Sequence, residues 1–279
     1  MAILLALLSA ICYGTSDFSA GLLSRRYAAE PASGMIIAVE VLGTIVGVLL
    51  FPGHGPTAAA LEWGAVSGLG GGAGTICLYR GLAAGSMAIA GTISGVLAAA
   101  VPVLVGLALG DHLTAVRAIG IAIAVPAIVL VSWQPDADAR AGARRGAGYG
   151  VLAGLGFALL FIGLDRAGTR SGAWPLLPGQ CVGLCVVAPL AARGIVRAGW
   201  PTVDDLRFVL CSGVLAFAAA FFFLAATGHG ELAIVAVVAS MYPAFTVILA
   251  RVALSERWSR RQAVGLLVAA ASVILVSVS

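Results

Sequence analysis

Apolar residues fall along this chain in long blocks of similar length. The runs lie at about 2–22, 33–51, 61–80, 86–109, 115–133, 147–164, 174–192, 206–226, 231–253 and 261–278. Each is about 18–24 residues long, and a helix needs about 20 to cross roughly 30 Å of hydrocarbon. The pattern predicts ten transmembrane helices with no soluble domain between them. The longest polar stretch, "SWQPDADARAGARRGAG" at 132–148, carries the Asp, Pro, Gly and Arg of a linker. It divides the chain into helices 1–5 over residues 1–135, a linker over 136–146, and helices 6–10 over 147–279. The first block, "MAILLALLSAICYG", has no positive n-region and outruns a signal-peptide core, so it reads as a first membrane helix.

Composition agrees with a lipid solvent. The chain is 61% hydrophobic and 10% charged, with mean hydropathy +1.08. A soluble domain carries about 25% charged residues. The net charge of +4 would otherwise suggest nucleic acid, but all 16 basic residues are Arg and most stand between apolar runs. That is a membrane-loop pattern, not a nucleic-acid patch. Only Arg117, Arg166 and Arg170 fall at even-numbered connections; the other 13 of the 16 fall at or near odd-numbered ones. The positive-inside rule then predicts both termini on the extracytoplasmic side.

The two parts of the chain echo each other. "AIGIAIAVPAIVLVS" at 118–132 matches "AVGLLVAAASVILVS" at 263–277 in apolar character, at an offset of 145. The same offset pairs Ser67-Gly68 with Ser212-Gly213, Gly85, Ala88 and Ile89 with Gly230, Ala233 and Ile234, and Asp111 with Glu256. Five helices per repeat is an odd number, so the second repeat enters the membrane from the opposite side. The expected fold is all-α and integral to the membrane, two inverted five-helix repeats, an architecture recurrent among secondary transporters.

The third block contains "GLGGGAG" at 68–74. Gly68, Gly70 and Ala73 satisfy a loose G-x-G-x-x-A pattern, but the strand before and the helix after that a dinucleotide loop requires are missing. In lipid, small residues four apart let two helix backbones approach closely. Gly68, Gly70, Gly72 and Gly74 are therefore expected to be packing positions.

The segment "YPAFTVILARVALSERWSRRQAVGLLVAAASVILVS" at 242–277 resembles the end of an EamA repeat of the drug/metabolite transporter superfamily. That pattern has a Pro in the fourth helix of the repeat, an acidic residue after it, and a Gly in the fifth helix. Pro243, Glu256 and Gly265 stand in those places, and Pro102, Asp111 and Gly120 in the first repeat. Two features depart from it: Asp111 replaces the usual Glu, and the offset of 145 pairs Pro243 with Ala98, one turn before Pro102. Kinks are expected at Pro102 and Pro243, differing in kind. The resemblance implies a carrier that exports amino-acid-like or drug-like metabolites across the cytoplasmic membrane.

Ionisable groups deep in lipid are costly and by default mark a functional site. Glu40 lies about two turns into helix 2. Asp17 lies in helix 1 with Tyr13 one turn earlier on the same face. Arg80 ends helix 3 beside Tyr79. These groups are expected to form one cluster on a substrate or proton pathway, with Arg80 neutralising Asp17 or Glu40. The alternative is an ion pair that only pins three helices. In the second repeat, Tyr242 precedes Pro243, which frees a backbone carbonyl, so Tyr242 is expected to line a cavity. Asp111 and Glu256 read as acids holding the turns after helices 4 and 9, with Thr114 and Ser259 as N-caps. Glu231 reads as an acid at a helix N-terminus, and Trp174 and Trp258 as interfacial anchors. Cys181 and Cys185, one turn apart, read as small buried hydrophobes rather than metal ligands.

No G-x-x-x-x-G-K-[ST] segment and no Lys occur, so no ATPase is encoded here. Neither a metal nor a cofactor is expected, and no nucleic acid; the expected partners are the bilayer, a small solute and protons. A lipid- or prenyl-modifying enzyme would need clustered carboxylates, for which "DAD" at 136–138 and "DD" at 204–205 are the candidates, each without a second acidic motif a turn away. A passive channel is the other competing class.

Overall fold

The computed structural model describes residues 1–23, 27–83, 87–131, 139–198, 202–254 and 260–278. Among them the regular structure is helical throughout: α1 (Ala2–Leu23), α2 (Ala29–Leu50), α3 (Ala58–Ala83), α4 (Met87–Leu109), α5 (Ala115–Val131), α6 (Ala139–Ala167), α7 (Leu176–Ala198), α8 (Val203–Thr227), α9 (Leu232–Ala239), α10 (Tyr242–Leu254) and α11 (Arg260–Val278). Among the described residues five segments are long and apolar enough to cross a membrane: Ala2–Leu23, Glu30–Leu50, Arg145–Ala167, Leu176–Gly194 and Val203–Thr227. Shorter apolar segments run over Ile93–Leu109, Ala115–Leu130, Leu232–Thr246 and Ala263–Val276.

Two elements differ from the hydropathy pattern. Residues 139–146, read as linker, form the start of α6, because the stretch is rich in Ala and Arg, both good helix formers. The block at 231–253 is two helices. The chain turns at Ser240 and Met241, with Met241 N–H bonded to Val238 O at 3.2 Å and Ala244 N–H to Met241 O at 3.0 Å. Pro243, second residue of α10, has no N–H to continue the ladder back to Ala239. The helix of the first half is not interrupted in this way: α4 runs unbroken through Pro102, which is buried against its neighbours.

Small residues set how the helices meet. Gly64, Gly68 and Gly72 of α3 face, in ascending order, Pro175 just before α7 and Gly179 and Gly183 within it, so the two helices run parallel. Gly70 faces Gly156 and Ser67 faces Gly163, so α3 and α6 run antiparallel. A Cβ on Gly68 would collide with the Gly179 carbonyl, and one on Gly70 would stand 2.5 Å from the Gly156 carbonyl. Backbone therefore lies on backbone along two sides of α3, the arrangement that favours helix association in lipid.

The remaining pairs follow the same logic. Ser9 Oγ donates to Ala219 O and Ser16 Oγ to Ser212 O, both at 2.9 Å, fixing α1 antiparallel to α8. Ser212 Oγ returns a bond to Ser16 O at 2.9 Å. Gly213 meets Val39 and Gly43 meets Phe217, so α2 and α8 run parallel. Gly150 and Gly154 of α6 meet Ala90 and Ser94 of α4 in parallel. Gly14 lies against the Tyr242 carbonyl and Ala2 against Gly230, which aligns α1 with the α9–α10 pair. Finally, α2 packs against α7, α4 against α9, and α5 against α11.

Candidate functional site

A cavity of about 140 Å³ lies among α1, α2, α3, α6, α7, α8 and α10. Tyr13, Asp17, Glu40 and Tyr242, four residues singled out by the sequence, all line it. The second half of α1 and the middle of α2 bring Asp17 and Glu40 to the cavity wall. Gln180 of α7 hydrogen-bonds the Glu40 side chain. Asp17 and Glu40 are close enough to feel one another's charge, and Tyr13 feels both. The Tyr13 ring stands edge-on to Tyr242 at 6.3 Å between centroids and 6.5 Å from Phe161. Gly68, Gly71 and Gly72 form part of the wall, so the smooth surface of α3 serves both the helix contact and the cavity.

Arg80 does not join this group. Its side chain is exposed and does not line the cavity. The reason is rotation: Thr75 and Leu78 carry the cavity face of α3, and a residue five positions after Thr75 points roughly 140° away from it at 3.6 residues per turn. The ion pair expected between Arg80 and a cavity carboxylate is replaced by the neutral amide of Gln180. The side chain of Tyr79 lies outside the described residues.

Sequence reasoning passed over Gln180, Ser16, Ser33, Ser67 and Ser212, all in the lining. Gln180 carried a signal, as the one amide in its apolar block. Ser67 and Ser212 carried another, since they match at the offset of 145. Cys181 and Cys185, expected to be buried, are exposed, because α7 turns Gly179 and Gly183 toward α3 and these cysteines away. Among the described residues no three His, Cys, Asp or Glu side chains are grouped to hold a metal.

One end of the bundle is closed around the cavity. Phe161 stacks on Phe223 at 4.3 Å and 13°, with Leu164 and Leu176 in the same buried cluster. Over this plug the α2–α3 and α6–α7 connections are stapled. Ala173 N–H donates to Phe51 O and His54 N–H to Arg170 O, each at 2.9 Å, and the Thr57 and Ser171 hydroxyls meet at 3.2 Å. Gly53 (φ +53°) and Gly172 (φ +56°) lie against each other's backbone here, where the left-handed conformation and the close approach both exclude a side chain.

At the same end, two acids exchange roles across the α4–α5 and α8–α9 connections. Asp111 Oδ2 accepts from Ala233 N–H at 3.0 Å, capping α9 rather than its own turn. Glu231 Oε1 accepts from His112 N–H at 3.1 Å, and its other oxygen lies 3.8 Å from Arg117. Thr114 Oγ1 accepts from Arg117 N–H at 3.3 Å, as an N-cap does. Trp174 is half-buried. Glu256, Trp258 and Ser259 lie outside the described residues, as do 136–138. Of the other acidic pair, Asp205 has a structural place: with Thr202 it forms the capping box of α8, and it also accepts from the Tyr27 hydroxyl at 3.2 Å.

Residues 144–278 match the EamA-like transporter family. A solved crystal structure superposes with a TM-score of 0.77 over 99% of this chain and 96% of its own, at 15% identity, a likeness of fold alone. No curated protein matches significantly. The family match and the apolar helices make this a multi-pass membrane protein whose partners are the lipid bilayer and a small solute.

Proposed function

Residues 144–278, just under half of the chain, match the EamA-like transporter family, and on that premise we propose that the protein is a secondary transporter, an exporter of a small organic solute across the cytoplasmic membrane by alternating access. The observation that carries the reading is the cavity, which is walled by both halves of the chain, holds two carboxylates, and is closed at one end by stapled connections.

Alternating access requires two halves that can trade arrangements, and the packing supports an inverted repeat. Let α1 exchange with α6, α2 with α7, α3 with α8, α4 with the α9–α10 pair and α5 with α11. The contact α3–α6 then becomes α8–α1, α3–α7 becomes α8–α2, and α4–α6 becomes the contact of α9 and α10 with α1. The contacts α2–α7, α4–α9 and α5–α11 map onto themselves. The senses agree as well: the first two partners are antiparallel, the next two parallel, and the last two parallel. A parallel α2 and α8, with α2 and α3 alternating in direction, sets α8 opposite to its counterpart α3. Ser67 and Ser212, equivalent by sequence offset, both face the cavity.

In the orientation that the arginines favour, the closed end is extracytoplasmic and the cavity reaches toward the cytoplasm. Glu40, held by a neutral amide, is the group that carries a proton between the two sides. Counterflow in proteoliposomes tests the function. A carrier loaded with unlabelled solute accumulates labelled solute transiently and saturates. Flux without saturation or counterflow would make the protein a channel, and chemical turnover without flux would make it an enzyme.

A further inference from the structure

The cavity is chemically one-sided. Two carboxylates line it, Asp17 and Glu40, and among the described residues no basic side chain does. The Asp17 carboxyl makes no hydrogen bond or ion pair among those residues, while among them the Glu40 carboxyl has the amide of Gln180 as its hydrogen-bond partner. Tyr13 and Tyr242 are the other titratable groups on the wall, and both are neutral when protonated. Two like charges facing each other away from bulk water repel, and an opposite charge within about 4–6 Å relieves them. The remaining wall is aromatic at Tyr13, Phe157, Phe161 and Tyr242. Ring faces attract a cation within about 6 Å, and Trp, Tyr and Phe all serve.

We propose that the solute bound here is a small organic cation, an amine with an apolar body whose nitrogen sits between Asp17 and Glu40 and whose body lies on the aromatic wall. This rests on the reading of the cavity as the solute site of a transporter. The same chemistry argues against a zwitterion or an anion. A solute carboxylate would enter beside two acids and find no basic side chain among the described residues, a buried charge without a partner. Glu40 and Asp17 differ in role. The amide of Gln180 stands with the Glu40 carboxyl, whereas the Asp17 carboxyl has no such partner among the described residues.

The test uses the full chain, purified in detergent, and solutes that differ in charge but little in shape. 2-Phenylethylammonium, phenylalanine and 3-phenylpropanoate form one set; pentylammonium, norleucine and hexanoate form another. Binding is read by calorimetry. The ammonium member of at least one set binds, and its amino acid and acid do not. Asp17→Asn and Glu40→Gln each weaken that binding at least tenfold, which is about 1.4 kcal/mol. Melting curves of both variants without solute establish that they are folded, and the charge series on the unaltered chain decides the matter even if they are not. Equal or tighter binding of a zwitterion or anion, an ammonium affinity unchanged in both folded variants, or no ammonium binding in either set overturns the proposal. Ammonium binding without counterflow would refute the transporter reading and leave the cation site standing. Counterflow of an acid or zwitterion without ammonium binding would do the reverse.

Discussion

Adding one carbon to α3 should separate its packing role from the general apolarity of the chain. The structure ranks the positions. A Cβ on Gly68 overlaps the Gly179 carbonyl and presses on its Cα and C atoms, all of them backbone that no side-chain rotation can move. A Cβ on Gly72 stands 3.0 Å from both the Cα and the carbonyl oxygen of Gly183, tight but within reach of a small shift. On the opposite helix, a Cβ on Gly183 is 3.5 Å from the Gly68 carbonyl, an ordinary contact. On α6, a Cβ on Gly148 meets nothing within 4 Å. Relieving the Gly68 clash means moving α3 and α7 apart, and a gap of about 0.5–1 Å forfeits a quarter to a half of each dispersion contact along the seam. With overpacking typically costing about 1–3 kcal/mol, Gly68→Ala belongs near the top, about 3 kcal/mol, and Gly72→Ala near about 1 kcal/mol. Gly183→Ala and Gly148→Ala, which meet no clash, should match the parent or exceed it by up to about 1 kcal/mol, because Ala is the better helix former. Unfolding of the detergent-solubilised protein by graded SDS measures all four. A Gly68→Ala variant as stable as Gly148→Ala would mean that α3 and α7 do not meet as described.

Glu40→Gln preserves shape and the pairing with an amide but cannot exchange a proton; it is expected to fold, to lose transport driven by a pH gradient, and to retain counterflow at saturating solute. Normal gradient-driven flux in that variant would remove Glu40 from the coupling path. A reporter active only in the cytoplasm, fused after Ser279, is expected to stay silent, and strong activity there would invert the orientation drawn from the arginines.

The helical blocks are legible because hydrocarbon imposes a length and a polarity on every crossing, and both are local properties. The break before Tyr242 is half legible: Pro243 announces a missing N–H, but Pro102 announces the same, and only the surroundings decide which helix parts. Asp17 and Glu40 stand out because charge is rare in an apolar block. Arg80 stands out for the same reason and points elsewhere, since proximity along the chain says nothing of rotation around α3. Gln180 escapes because an amide costs less in lipid than a charge, so a reading ranked by charge ranks it low. The glycines of α3 declare a close approach without naming the partner, and their division between α6 and α7 emerges only from the assembled bundle.

The two ends of the bundle need not be held with equal strength, and on the proposed inverted repeat the sequence offset predicts where they differ. At the closed end, Asp111 caps α9 and Glu231 caps the turn at His112, so each acid secures the other half's connection. An offset of 145 carries Asp111 to Glu256, so one member of this exchange has an acidic counterpart. It carries Glu231 back to Ser86, which has no charge. On the proposed inverted repeat, the second bond of this exchange therefore has no acidic counterpart in the sequence, and the resting balance should favour the arrangement closed as seen here. Glu231→Ser makes the two ends alike in this respect. The Glu231 and Arg117 side chains are 30% and 27% exposed, so solvent screens the pair and the loss should be modest, about 1 kcal/mol. That is roughly a fivefold rise in the population open at this end. Amide hydrogen exchange at His112 and Ala233 reads it directly. Exchange at both should quicken several-fold in the variant while the core of α8 stays protected. Unchanged exchange at both amides would show that the cross-capping acids do not hold this end shut.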